Sequence, residues 1–304
     1  MGVQQETAST GAATLRRRTL PTELGPCTVH VQEGAGGPHA ASGTAEVYLH
    51  GAAGSWTSFR ELLHPAAAHD RVLIDLPGWG ESTQGARVAH LSIEAMARAV
   101  AGTLTSLGYR RWNLVGHSMG GFLALHIAAA WPGRTASVTA ISATTFGVSE
   151  AAGKPLRSLF RFPMFLGMLL AMRAAATLGP AGPALVRAIG STAVMRPLLS
   201  PFFAEPASIS AGVLRGLGED ARPACFSAAA RAAAHYDFGQ WRGILCPVLA
   251  IRGDSDVFTP PSDLLRLAEI IPRVQTVTLP HCGHFANIER PEHVQRLLDD
   301  LLYP

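Results

Sequence analysis

Ser118 stands in a short motif, Gly116-His117-Ser118-Met119-Gly120, that could carry covalent chemistry. A β-type run ends at Gly116 and a helical pattern begins directly after the motif, which predicts that Ser118 lies on a turn between a strand and a helix. The flanking glycines leave room for a strained backbone. Backbone N–H groups at the start of the helix would face any negative charge that develops near the hydroxyl. The motif therefore predicts a nucleophilic serine, although Gly-x-Ser-x-Gly also arises by chance in a chain rich in alanine and glycine.

A serine hydroxyl needs a base that removes its proton, and the base needs a carboxylate that fixes its tautomer. Such groups gather at the carboxyl ends of parallel strands. Two predicted strands near the C-terminus end in segments that offer them: Asp254 and Asp256 follow the first strand, and His281 and His284 follow the second. The residue types alone leave two candidates for the acid and two for the base.

The elements that must position these residues alternate between strands and helices, which is typical of parallel βαβ units in a sheet covered on both faces. The predicted strands are residues 27–33, 45–49, 71–76, 111–115, 138–142, 247–251 and 275–279. From about residue 145 to 237 only helical fragments are found, separated by glycine and proline. We therefore predict an α/β core from residues 1–144 and 238–304 and an inserted helical cap at 145–237. Residues 1–20, with the basic run Arg16-Arg17-Arg18, are predicted to be a flexible tail.

Taken together, these segments resemble the α/β-hydrolase family from about residue 27 to the C-terminus, apart from the cap. Gly-x-Ser-x-Gly between a strand and a helix is that family's nucleophile elbow, and its triad follows in the order Ser, Asp, His. Four further segments carry the resemblance: His50-Gly51, residues 75–82, residues 253–260, and Gly283-His284-Phe285. The resemblance implies the α/β-hydrolase fold, a mostly parallel central sheet flanked by helices, with an inserted helical cap.

The resemblance also assigns catalytic roles. It implies that Ser118 is the nucleophile, that His284 rather than His281 is the base, and that Asp256 rather than Asp254 is the acid. Asp256 has the family's spacing from the glycine and proline of its loop, and His284 follows the expected glycine.

The same resemblance implies an oxyanion hole made of two backbone N–H groups. One belongs to Met119, and the family register assigns the other to Ala52, with Ala53 as the alternative. Further predicted substrate contacts are Ala53, His117, Met164, Met168 and Phe285.

The predicted function is serine-dependent hydrolysis through a covalent acyl-enzyme, with an ester or thioester of an apolar small molecule as the substrate. The cap is rich in Phe, Leu, Met and Ala, which favours an apolar substrate. Its excess of Lys and Arg is also compatible with a carboxylate-bearing or phosphopantetheine-bearing substrate. Because a fold does not fix chemistry, the alternatives are perhydrolase or haloperoxidase-like activity, carbon–carbon bond hydrolysis and biosynthetic cyclisation. A non-catalytic ligand receptor is less favoured because all three triad residues are present.

Composition argues against several other classes of protein. The 304-residue chain is 48% hydrophobic and 15% charged, which is enough for a sizeable core, and its net charge of +3 gives no reason to expect nucleic-acid binding. Four widely spaced cysteines form no CxxC pair, so we expect a cytoplasmic protein without disulfides. Clean apolar spans and metal-ligand spacings are missing, so we expect no membrane span, no metal and no cofactor. The oligomeric state is not predicted.

Overall fold

The computed structural model describes residues 6–10, 13–34, 43–63 and 68–302. The strands of this part of the chain are β1 (Glu6–Thr10), β2 (Ala13–Thr22), β3 (Gly25–Gln32), β4 (Thr44–Leu49), β5 (Asp70–Asp75), β6 (Arg111–His117), β7 (Thr135–Ile141), β8 (Val248–Gly253) and β9 (Val274–Leu279). They form a nine-stranded sheet in the order β1-β2-β3-β5-β4-β6-β7-β8-β9. The pairs from β5 to β9 are parallel, whereas β1, β2 and β3 join by antiparallel pairing.

Helices lie between the later strands of this sheet and after its last strand. The α-helices are α1 (Ile93–Ser106), α2 (Met119–Ala130), α3 (Phe146–Gly153), α4 (Pro155–Ser158), α5 (Pro163–Thr177), α6 (Ala181–Gly190), α7 (Met195–Leu199), α8 (Ala211–Glu219), α9 (Pro223–Ala233), α10 (Pro261–Ile270), α11 (Ala286–Glu289) and α12 (Pro291–Leu302). Short 3-10 helices cover Trp56–Leu62, Val88–His90, Ser200–Phe202 and Phe238–Gly243. No helix in the described ranges combines the length and the apolar character that a membrane crossing requires.

The central strands are buried on both faces of the sheet. Every residue of β5 and β8 is buried, and so is every residue of β6 except Arg111. Successive side chains of a strand point to opposite faces, so continuous burial requires cover on both. The edge strand β9 differs, because only Leu279 is buried there. The apolar runs that predicted the strands are therefore a direct consequence of two-sided packing.

The N-terminal segment differs from the predicted flexible tail. Residues 13–22 form β2, which pairs with β3 from Leu15 to Thr22. Arg16 forms an ion pair with Glu33, and Arg17 forms one with Glu81. Composition indicated a tail because the partners of these arginines lie far away in the sequence, where no local pattern reveals them. Residues 1–5 and 11–12 of the predicted tail lie outside the described residues.

The segment between β7 and β8 contains helices α3 to α9 and no strand among its described residues. These helices share an apolar cluster with the loops at the carboxyl edge of the sheet, and the cluster contains Phe165, Phe202, Phe226 and Phe258. We call residues 145–237 the cap. The cap therefore packs on the sheet edge where the parallel strands end.

Candidate active site

Ser118 lies on a tight turn between β6 and α2, with a positive φ of 54°. This turn requires glycine at its neighbours, because a Cβ atom at Gly116 would overlap the backbone of Gly120. A Cβ atom at Gly120 would overlap the carbonyl oxygen of Leu49. The close approach of these backbones holds the start of α2 against the sheet and keeps Ser118 in its strained conformation.

The structure brings Ser118, His284 and Asp256 together in one chain of hydrogen bonds. The Ser118 hydroxyl donates to Nε2 of His284 over 3.0 Å, and Nδ1 of His284 donates to Oδ1 of Asp256 over 2.9 Å. Because an ionised carboxylate only accepts, Asp256 places the ring proton on Nδ1 and leaves Nε2 free to accept. This geometry permits proton transfer from the hydroxyl to the imidazole.

Asp256 is buried but remains the charged member of this group. Burial raises the pKa of the Asp256 carboxyl, but attraction to His284, the hydrogen bond with His284 and the backbone N–H of Phe258 lower it further. The resulting pKa of Asp256 lies below the ordinary value of an aspartate carboxyl. The backbone N–H groups of Phe258 and Thr259 both donate to Oδ1, over 2.9 and 3.1 Å. Asp256 is therefore ionised at neutral pH and fixed in orientation.

His284 is held by the cap as well as by the core. Its backbone N–H donates to the carbonyl oxygen of Phe202 over 2.7 Å, and its own carbonyl oxygen accepts from Nε2 of His117 over 2.9 Å. The Phe258 ring packs edge-on against the imidazole with 4.7 Å between ring centroids. Burial lowers the pKa of His117 to about 3, so this second histidine is neutral. His117 therefore braces the His284 backbone rather than acting as a base.

The predicted oxyanion donors belong to residues at the start of α2 and in the loop after β4. The N–H of Met119 is the first of α2, where helix geometry supplies no intrahelical acceptor. Ala52 and Ala53 are the central residues of a turn that is closed by the N–H of Gly54 donating to Gly51 over 3.1 Å. Met119, Ala52 and Ala53 all line the pocket around Ser118. The choice between Ala52 and Ala53 stays a prediction.

Asp254 and His281, the two competing candidates, lie in the two loops that follow β8 and β9, and neither belongs to the hydrogen-bonded relay. Asp254 is exposed and accepts from the backbone N–H groups of His281 and Cys282, over 2.9 and 3.2 Å. The His281 side chain is also exposed. Asp254 therefore braces the loop that leads to His284, and the hydrogen-bonded relay contains Asp256 and His284 instead.

An apolar pocket of about 110 Å³ surrounds the Ser118 hydroxyl. Phe122 of the core, Phe165 and Met168 of α5, and Phe285 contribute to its wall. No Lys, Arg, Asp or Glu among the described residues lines it. An engineered protein cavity of about 150 Å³ binds benzene, so a space of this size suits a small apolar group. The sequence did not single out Phe165, Phe202 or Phe226 because cap folding alone brings them to the site.

Of the predicted substrate contacts, Ala53, His117, Met168 and Phe285 line the pocket, but Met164 does not. Met164 packs, half-buried, against the apolar cluster of the cap. It lies one turn, about 5.4 Å, before Met168 along α5, so the two side chains reach different parts of this cluster. As a substrate contact, Met164 stays a prediction.

One group of three side chains that could reach a common ion was not indicated by spacing. His30, Asp75 and Glu81 have ligand atoms within 4.8 Å of one another, and within the described ranges they form the one such group. Each acid already has protein partners: Asp75 accepts from the backbone of Trp56 and Glu81, and Glu81 pairs with Arg17. Burial lowers the pKa of His30 to about 4. We interpret the group as a brace between β3 and the loop after β5.

The amino-acid sequence matches the family model of the alpha/beta hydrolase fold over residues 47–291, a range that includes Ser118, Asp256 and His284. The chain belongs to the α/β hydrolase fold family. The predicted family and the predicted fold class are both confirmed.

Named members of the α/β hydrolase family resemble this chain over most of its length. A 2-hydroxy-6-oxononadienedioate/2-hydroxy-6-oxononatrienedioate hydrolase from Cupriavidus pinatubonensis is 28% identical over 275 residues, 84% of this chain and 86% of that protein. A 2-hydroxy-6-oxo-6-phenylhexa-2,4-dienoate hydrolase from Burkholderia cepacia is 27% identical over 277 residues, 86% and 89% of the two chains. Cfl2 from Burkholderia cenocepacia has a solved structure that covers 98% of this chain and 99% of its own, with a TM-score of 0.75 at 21% identity. This last likeness concerns the fold.

Proposed function

We propose that this α/β hydrolase is a serine-dependent enzyme that cleaves a bond next to a carbonyl group of an uncharged, apolar small molecule. The relay from Ser118 through His284 to Asp256, with distances of 3.0 and 2.9 Å, carries the proposal. Family membership supports hydrolysis as the reaction class.

In this mechanism Ser118 attacks the carbonyl carbon while His284 takes its proton. Asp256, ionised because its pKa is lowered, stabilises the imidazolium that forms. The N–H groups of Met119 and Ala52 would hold the oxyanion. The imidazolium then gives its proton to the leaving group, and a water molecule activated by His284 releases the carboxylic acid and restores Ser118.

The names of the relatives favour the carbon–carbon alternative over the ester or thioester first predicted. A 2-hydroxy-6-oxo-6-phenylhexa-2,4-dienoate contains a ketone and no ester, so its hydrolysis must break a carbon–carbon bond. By extension we propose carbon–carbon bond hydrolysis for this chain. The leaving carbon would take the proton of His284, and the acyl group would leave Ser118 as a carboxylate.

The pocket also supports a substrate that differs in charge from those the relatives' names state. A dienoate carries one carboxylate and a dienedioate carries two, but no cationic side chain of the described residues lines this pocket. An unpaired charge that is buried costs several kcal/mol. This observation favours a neutral substrate, and it keeps hydrolysis of a neutral ester as the second candidate.

Three substrates would test bond type and charge separately: a diketone against an ester for the bond, and a neutral against an anionic ester for the charge. Benzoylacetone, a neutral diketone, should yield benzoate and acetone, or acetate and acetophenone, and Ser118→Ala should abolish both. The protein should hydrolyse neutral p-nitrophenyl butyrate with a kcat/KM at least about 100-fold above its kcat/KM for the anionic p-nitrophenyl hemisuccinate.

The outcomes separate the candidates. Turnover of the neutral ester without any cleavage of benzoylacetone would select the ester hydrolase. Faster turnover of the hemisuccinate would contradict the neutral-substrate proposal. Folded protein that turns over neither compound class would return the chain to the receptor alternative.

A further inference from the structure

One part of the cap, residues 151–204, has a one-sided charge. It contains six of the chain's 25 basic residues and none of its 22 acidic residues, so the rest of the chain has 19 basic against 22 acidic residues. The six basic side chains are all exposed: Lys154, Arg157, Arg161, Arg173, Arg187 and Arg196. The molecule therefore has a positive cap segment on a remainder with net negative charge.

The same segment exposes large apolar side chains. It holds nine of the eleven large hydrophobic side chains that are exposed in the described part of the chain. Leu156 is 90% exposed and Phe160 is 96% exposed, and others follow along α5, α6 and α7. Single exposed apolar residues are normal, but their concentration in one segment marks an interaction surface. We call residues 151–204 the cationic-apolar face.

We propose that the cationic-apolar face docks on an anionic lipid surface. Basic side chains interleaved with exposed Leu, Ile and Phe are typical of helices that lie in the membrane interface. A lipid bilayer can bind both kinds of side chain, because its anionic headgroups attract the arginines and its acyl chains accommodate the apolar side chains. The negative remainder of the chain would orient this face, rather than another, toward the bilayer.

The cationic-apolar face and the pocket share helix α5. On its inner side Phe165 and Met168 line the pocket, whereas Leu170 and Arg173 of the same helix are exposed on the outer side. Docking would therefore place the apolar pocket one helix layer away from the lipid. A neutral apolar substrate concentrates in that phase, so docking would supply it to the pocket.

Sedimentation of the full-length protein with phosphatidylcholine vesicles, with and without phosphatidylglycerol, tests this proposal without any use of enzyme activity. We expect binding to the anionic vesicles that weakens as salt is added. Arg173→Gln with Arg187→Gln should weaken binding roughly 25-fold, since each basic side chain contributes roughly fivefold at an anionic surface. Leu156→Ser with Phe160→Ser should weaken it at least about tenfold, and both side chains are too exposed for this change to affect folding.

Arg111→Gln with Arg273→Gln is the matched control. Both arginines are exposed and lie at the amino ends of β6 and β9, at the opposite edge of the sheet from Ser118. This pair should leave vesicle binding within about twofold. An equal loss of vesicle binding in the control would overturn the proposal. Folded wild-type protein that does not bind anionic vesicles would also overturn it. Light scattering that shows a dimer sensitive to Leu156→Ser with Phe160→Ser, without vesicle binding, would assign the face to a second copy of the chain instead.

Discussion

Asp254 and Asp256 show how two identical side chains, two residues apart, acquire different roles. Asp256 is buried and accepts from Nδ1 of His284, whereas Asp254 is exposed and accepts from the backbone of the loop before His284. The pKa of both carboxyls is lowered, Asp254 mainly by the backbone N–H of His281. Burial and the contact with the imidazole distinguish the two carboxylates, so a comparison of variants is the decisive test at this scale.

Asp256→Asn should lower kcat by up to about 10⁴-fold, because an amide at this position favours the wrong tautomer of His284. Asp254→Asn should lower it far less, since that side chain only braces the loop. Steady-state kinetics with p-nitrophenyl butyrate, on variants shown to be folded by circular dichroism, would measure both. Equal losses, or a larger loss in Asp254→Asn, would refute the assignment of the acid.

Asp75 should make stability depend on pH. Burial raises the pKa of its carboxyl to about 7 from an ordinary value of 3.8, although the N–H groups of Glu81 and Trp56 oppose the shift. Between these two values the folded chain binds more protons at Asp75 than the unfolded chain does, so this contribution to stability falls as pH rises.

In Asp75→Asn this contribution disappears. From about pH 5 to about pH 7 the free energy of unfolding should therefore rise in the variant relative to the wild type, by up to about 3 kcal/mol. Urea denaturation of both proteins at the two pH values gives the difference, in which all other titrating groups cancel. The same pH dependence in both proteins would show that Asp75 is ionised throughout this range.

At the scale of elements, the turn between β6 and α2 depends on backbone contacts that only glycine permits. A Cβ atom at Gly120 would overlap backbone atoms of Leu49, whereas a Cβ atom at Gly102, within α1, would meet nothing within 4 Å. We therefore expect these two Gly→Ala changes, both within helices, to shift the free energy of unfolding in opposite directions.

Gly120→Ala should lower the free energy of unfolding by about 3 kcal/mol or more, because backbone cannot move aside as a side chain can. Gly102→Ala should raise it by about 0.5–1 kcal/mol through helix propensity. Chemical denaturation checks both values. A mild effect of Gly120→Ala would mean that the start of α2 is not pressed against the sheet.

At the scale of the whole molecule, the reactivity of the four cysteines measures how well the folded core excludes solvent. Cys27, Cys225, Cys246 and Cys282 are all free and buried. Burial raises the pKa of Cys27 and Cys282 to about 12 and that of Cys225 and Cys246 to about 11. Each thiol is therefore protonated and shielded in the folded chain.

A thiol reagent such as Ellman's reagent should label none of the four cysteines rapidly in the native protein and all four in denaturant. Fast labelling of one native cysteine would identify a part of the chain that opens locally. Cys282 is the informative position, because it lies two residues before His284.

The sequence predicted the parts of this molecule in which local chemistry forces a residue type. Gly120 must be glycine because of a backbone contact, and the resemblance to the α/β-hydrolase family selected Asp256 and His284 from the candidates that follow two strand ends. Phe202 and β2 were not predicted for the opposite reason. The Phe202 carbonyl reaches His284 only through the packing of the cap, and β2 is stabilised by pairing with β3 and by distant acids. Long-range contacts of this kind leave no local pattern.

Labelling with a fluorophosphonate probe tests the central claim most directly, because the probe reacts only with an activated serine. Intact-mass and peptide mass spectrometry should find one adduct per wild-type chain, on Ser118. Ser118→Ala should carry none, and His284→Ala should react at least about 10³-fold more slowly. Folded wild-type protein without an adduct, an adduct on another residue, or undiminished labelling of His284→Ala would contradict the claim that His284 activates Ser118.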